Sequence, residues 1–112
     1  MKRALAVAIT ALAVGLSPGP VASEATIYTL GSVSCGAWSA DRKAGNLQGV
    51  ADEYWVGGFL SGVNWSTGQR LGITVDGPGL YGFIDNYCTS HPSRDLSNAA
   101  GALVNLLAKY GQ

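Results

Sequence analysis

Few side chains in this 112-residue chain are of types that do chemistry, and their spacing narrows the choice further. His91 is the only histidine. It precedes Pro92 at a predicted helix end, where a capping or surface role is expected rather than general acid–base work. A zinc site needs about four ligands from Cys, His and carboxylates. With one histidine and two cysteines, that set cannot be assembled once the cysteines are joined to each other. Asp76 and Asp85 lie nine positions apart, too far to pair on one helical patch, and Asp52-Glu53 are adjacent, so they diverge and are expected on a solvated face. No G-x-S-x-G, G-x-G-x-x-G or phosphate-loop pattern occurs. Ser61 reads as a small packing residue of a helix, not a nucleophile. Asn64-Trp65-Ser66 matches a glycosylation sequon, but its predicted helical position and tryptophan neighbour count against modification. The expectation is a chain without catalytic set, metal or cofactor, and not an enzyme.

The two cysteines, Cys35 and Cys88, carry more information. They follow a segment with the three-part form of an export signal: Lys2-Arg3, an apolar run over residues 4–16, then small residues through Ala22, Ser23 and Ala25. The apolar run of about 13 residues is shorter than the roughly 20 needed to span a bilayer. Residues 1–23 are therefore expected to be a signal peptide cleaved between 22 and 25, with no membrane attachment afterwards. Export to the periplasm would place the protein where thiols oxidise, so Cys35 and Cys88 are expected to form a disulfide closing a loop of about 54 residues, worth roughly 4 kcal/mol on the chain-entropy model. Residues 26–112 then form one small domain with a modest core. Past Ala25 there are five basic and six acidic side chains, a net charge of −1. That balance argues against nucleic acid and anionic lipid as partners and fits a protein partner.

The elements that must position these residues read as helices behind a short extended arm over residues 26–33. Ser34 is a plausible cap for a first helix that brings Cys35, Trp38 and Arg42 to one face and stops at Gly45-Asn46. A second helix is expected over residues 47–66, with a buried strand over 54–60 as the alternative. Its large residues cover nearly every face, which predicts a place in the middle of a bundle. Gly57/Ser61 and Gly58/Gly62 form small-xxx-small pairs suited to a close backbone approach. A loop over 68–75, with a short extended piece at 71–75, leads to Asp76, a cap for a third helix opened by Gly77-Pro78 and ended by His91-Pro92. Its Asp85 is expected to cap or to bridge Arg42 or Arg94. Ser93 is expected to cap a fourth helix with the stripe Leu96, Ala99, Ala100, Leu103, Leu106 and Leu107, stopped by Gly111. The fold class is all-α: a small three- to four-helix bundle with one disulfide.

Three groups of residues carry a family likeness: Cys35-Gly36-Ala37-Trp38; then Trp55-Val56-Gly57-Gly58-Phe59-Leu60-Ser61-Gly62-Val63-Asn64; then Ile84-Asp85-Asn86-Tyr87-Cys88, followed by Pro92, Leu96 and Ala99-Ala100. In this order and spacing the chain, over residues 35–107, resembles the periplasmic Rap/Tai immunity proteins, which bind and block type VI secretion amidase effectors. The resemblance implies a small exported helical protein, disulfide-linked, often a homodimer and without catalysis of its own. It implies Cys35 and Cys88 as the bridge, Trp55, Gly58, Gly62, Asp85 and Tyr87 as scaffold, and Trp38, Asn64 and Pro92 as further motif residues.

The docking epitope lies outside such shared motifs. It is expected in the loop over residues 64–75, where Trp65 and Arg70 are interface-type residues. The function expected is an exported, non-catalytic binding protein whose partner is a peptidoglycan amidase effector. The alternative is a periplasmic acid-stress chaperone of the Hde type, which would expose Trp55, Phe59 and Trp65 in acid but has few carboxylates to act as the switch.

Overall fold

The computed structural model describes Ile27 and residues 30–110, and among them are four helices: α1 (Cys35–Ala44), α2 (Leu47–Thr67), α3 (Gly77–Ser90) and α4 (Leu96–Tyr110). The expected signal peptide, residues 26, 28 and 29 of the arm over 26–33 and the stop at Gly111 lie outside the described residues; of the arm that is described, Leu30 and Gly31 form a turn. The helix boundaries follow from local chemistry. The Ser34 hydroxyl accepts from the Ala37 amide at 3.0 Å, and Gly45 closes α1 in the left-handed region at φ 63°. One residue later Asn46 caps α2 by accepting from the Gly49 amide at 2.8 Å, and Gly68 ends it at φ 73°. Asp76 caps α3 through the Gly79 amide at 2.8 Å, with Pro78 in the first turn, where its missing N–H is harmless.

The core lies where one stripe of each helix converges with the loop residue Leu71: Cys35 and Trp38 of α1, Val56 and Leu60 of α2, Ile84 and Cys88 of α3, and Leu96, Ala99, Leu103 and Leu107 of α4. At its centre the Cys35–Cys88 disulfide ties the first turn of α1 to the last of α3, with Cα atoms 4.8 Å apart and both cysteines buried. Such a bond is compatible with an oxidising, exported location. Among the described residues no helix is long and apolar enough to cross a membrane.

Three expectations need correction. Ser93 does not cap the fourth helix: residues 92–94 form a turn and the helix begins at Leu96. Helix formation is delayed because residues 94–96 pair with the segment entering α1, the Cys35 amide donating to the Arg94 carbonyl and the Leu96 amide to the Val33 carbonyl, each at 2.8 Å. The carbonyl of Asp95, rather than that of Ser93, then receives the first helical amides. The stretch 71–75 forms turns, not an extended piece. Lastly, α2 is helical throughout but does not run through the middle of the bundle. Its buried stripe is Gly49, Asp52, Val56 and Leu60, while much of the opposite side faces solvent. A helix with apolar residues all round was expected to be covered all round; here the other helices pack on one side of it only.

Candidate functional site

Two arrangements stand out, one polar and internal, the other apolar and external. The polar one is built on Arg42, which leaves α1 one turn beyond Trp38. Its Nε and Nη2 donate to the two oxygens of Asp85 on α3 at 3.0 and 2.8 Å, and its Nη1 donates to Glu53 of α2 at 2.7 Å. The guanidinium lies over the rings of Trp38 and Tyr81, 5.4 and 5.5 Å from their centroids. The Trp38 indole N–H adds a 2.8 Å donation to Asp85. These bonds, Arg42's first, hold the Asp85 carboxyl below the usual aspartate range, and the same pairing keeps Arg42 protonated. Three helices thus meet at one guanidinium.

An open groove of about 410 Å³ lies beside this clamp, lined by Ser39, Arg42, Lys43, Asp85 and Thr89. Its charged centre is already spent on internal bonds: Asp85 is ionised and fork-paired, so it is not poised to take up a proton. His91 lies at the far end of α3, its ring 4.2 Å from that of Tyr87 and its Nδ1 2.9 Å from the Tyr87 carbonyl oxygen. Among the described residues no group of three or more His, Cys, Asp or Glu side chains could hold a metal ion.

The external arrangement is the solvent side of α2. Leu47, Tyr54 and Trp65 are 87%, 76% and 91% exposed. Between Tyr54 and Trp65 lie Gly58, Ser61 and Gly62, all exposed. The recurrence 47, 51, 54, 58, 61/62, 65 is that of one helical face, about 27 Å long and without a charged side chain. Among the described residues a Cβ added at Gly58 or Gly62 would meet nothing within 4 Å, so no described backbone makes the close approach that their spacing suits. Each glycine costs about 1 kcal/mol of helix propensity relative to alanine, and nothing inside the chain offsets that cost.

At its C-terminal end this face continues into the loop. The Asn64 side chain clasps Leu71 in both directions, donating to its carbonyl at 3.0 Å and accepting from its amide at 2.8 Å. The clasp buries Leu71 and leaves Arg70 and Ile73 exposed. It also occupies the side-chain amide of the sequon.

The residues singled out in the sequence are therefore distributed as follows. Trp38 is core and braces Asp85. Trp55 is half-buried, stacked on Phe59, and donates its indole N–H to the Leu30 carbonyl at 3.1 Å, holding the entering segment against α2. Tyr87 stacks between Phe83 and His91, and Pro92 is exposed in the turn after α3. Gly58, Gly62, Trp65 and Arg70 lie at the surface. Of the two bases offered for Asp85, the structure selects Arg42.

Sequence reasoning missed Asp52. Instead of a solvated face it occupies the interior at 0% exposure. The signal was present in its spacing from Gly49, Val56 and Leu60, one helical stripe. Tyr81, Tyr54 and Ile73 were also missed as contributors to the clamp and to the outer face. No family model, no curated protein and no solved structure matches this chain.

Proposed function

We propose that this is an exported, non-catalytic binding protein that acts by covering a partner protein, in the manner of immunity proteins that block a type VI secretion peptidoglycan amidase. The observation that carries the reading is the uncharged outer face of α2, ending in the 91%-exposed Trp65, with Arg70 exposed in the loop that follows. An exposed tryptophan on a helix anchored through its other side, followed by an exposed arginine, has the make-up of a binding hot spot. The chemistry found inside the fold is spent on holding helices together, which agrees with action by occlusion. The same face carries no charge to keep two copies apart, so a homodimer belongs to the proposal.

The test is inhibition of peptidoglycan hydrolysis by a type VI amidase, titrated with the protein and with Trp65→Ala and Arg70→Ala variants. Stoichiometric inhibition, weakened at least tenfold by Trp65→Ala, is expected. An amidase equally active with and without the protein rejects the amidase as partner, and light scattering on the same samples reads the dimer.

One observation favours the chaperone alternative: protonation of Asp85 would release Arg42 and loosen the packing of α1 on α3. Suppression of client aggregation at about pH 2–3, where ordinary carboxyls are protonated, would support that reading instead.

A further inference from the structure

Asp52 sits wholly inside the seam between α1 and α2. Its Oδ1 accepts from Gln48 Nε2 at 2.8 Å, but its Oδ2 is buried with no hydrogen-bond donor. A second acid, the half-exposed Asp41 near the end of α1, lies close enough to act on Asp52 and lines an open cavity of about 160 Å³ with Gly49 and Glu53. The helices are pressed together at this point: a Cβ on Gly49 would come within 3.0 Å of the Asp41 carbonyl oxygen.

The neighbouring charges do not relieve the pair. Glu53, the next residue on α2, is a further acid and takes one arm of Arg42. The rest of the Arg42 fork is committed to Asp85 of α3, and Tyr81 of α3 lies over that guanidinium as a neutral phenol. The Asn46 side chain donates to Asp41 at 3.2 Å, leaving Asp52 Oδ2 unserved. From α4 the only charged side chain is Lys109, exposed beside Tyr110.

A buried carboxylate beside a second one is repelled by it and keeps an acceptor oxygen without a donor. One proton removes both faults, since it neutralises a charge and supplies the missing donor. We propose that Asp52 carries a proton on its unserved oxygen beside Asp41, so that the α1–α2 seam is a latch closed in acidic medium and loosened as that proton is lost. Burial pushes the Asp52 carboxyl up from its ordinary value, partly opposed by the Gln48 donor, and the neighbouring Asp41 raises it again. A folded value above the unfolded one has a definite sign. The contribution is fully present below the ordinary aspartate range and disappears as pH rises through the folded value. The inference is independent of what the outer face of α2 binds.

The test is a carboxyl-carbon NMR titration of the protein, joined to urea unfolding from about pH 3 to 8.5 for the wild type, Asp52→Asn and Asp41→Asn. An asparagine at either position supplies the bridging donor permanently. The expected results are an Asp52 resonance that titrates above the ordinary aspartate range, and a wild-type unfolding midpoint that falls with rising pH. The midpoint of at least one amide variant should lie above the wild type at pH 8 and lose that falling limb. The proposal is overturned by an Asp52 resonance titrating in the ordinary range. It is equally overturned by amide variants whose midpoints fall in parallel with the wild type. Should Asp52→Asn fail to fold, the wild-type titration and the Asp41→Asn curve still decide.

Discussion

Replacing Arg42 with methionine isolates the clamp at which α1, α2 and α3 meet. Methionine keeps most of the stem's volume and removes the guanidinium. Two donations to Asp85 and one to Glu53 are lost, together with the stack over Trp38 and Tyr81. The pairs are partly open to water, with the Arg42, Glu53 and Asp85 side chains 28%, 27% and 39% exposed. A fully buried pair would cost about 3–5 kcal/mol to break and an exposed one about 0–1. Discounted for that exposure, each carboxylate contact is worth about 1 kcal/mol, and the ring stack adds roughly 0.5–1. The expected loss is thus about 2–3 kcal/mol. In a domain of this size 1 kcal/mol moves Tm by about 4–8 °C, so a fall of at least about 8 °C should appear. Urea unfolding followed by tryptophan fluorescence measures the free energy directly. A double-mutant cycle with Asp85→Asn should return a coupling of about 1 kcal/mol. A loss under about 0.5 kcal/mol, the level of an ordinary surface change, or additive single variants would show that the clamp is a bystander.

The acid limb of the stability curve should depend on Asp85. Its folded value is lowered, so its contribution is present above the ordinary aspartate range and lost as pH falls through that lowered value; Asp85→Asn should flatten this limb in unfolding measurements between pH 2 and 5. Reducing the Cys35–Cys88 bond, or replacing both cysteines with alanine, should cost about 4 kcal/mol by the loop-closure argument; because both cysteines are buried, free-thiol counting should find the bond resistant to reductant until denaturant is added. Gly72→Ala should destabilise by about 1–3 kcal/mol, because φ is 78° and the new methyl would come 2.8 Å from Leu60 Cδ2 in the core, and thermal unfolding reads the effect. Trp65→Ala should change stability by less than about 0.5 kcal/mol while weakening inhibition of the proposed amidase partner at least tenfold, a separation that calorimetry and the hydrolysis assay report together.

The punctuation of the fold could be read residue by residue. Ser34, Gly45, Gly68 and Asp76 each act within four positions of themselves, by offering an oxygen to a nearby amide or by tolerating a left-handed turn. Ser93 failed for the opposite reason. Its role depended on backbone pairing between residues 33–35 and 94–96, some sixty positions distant along the chain. Asp85 fell between the two cases: two bases were plausible partners, and only the packing of α1 on α3 could choose Arg42.

The composition and the local caps dictated an all-α fold of three or four helices, and the two cysteines their covalent tie, because those properties belong to short segments and to residue types. Which side of α2 would be covered was another matter. Its apolar residues encircle the axis, so periodicity could not select a face. The other helices pack against Gly49, Asp52, Val56 and Leu60, which sends an aspartate inward and leaves Tyr54, Gly58, Gly62 and Trp65 facing water. Burial is a relation between segments distant along the chain, and for that reason the exposed outer face of α2 and the buried Asp52 emerged only once the helices were packed.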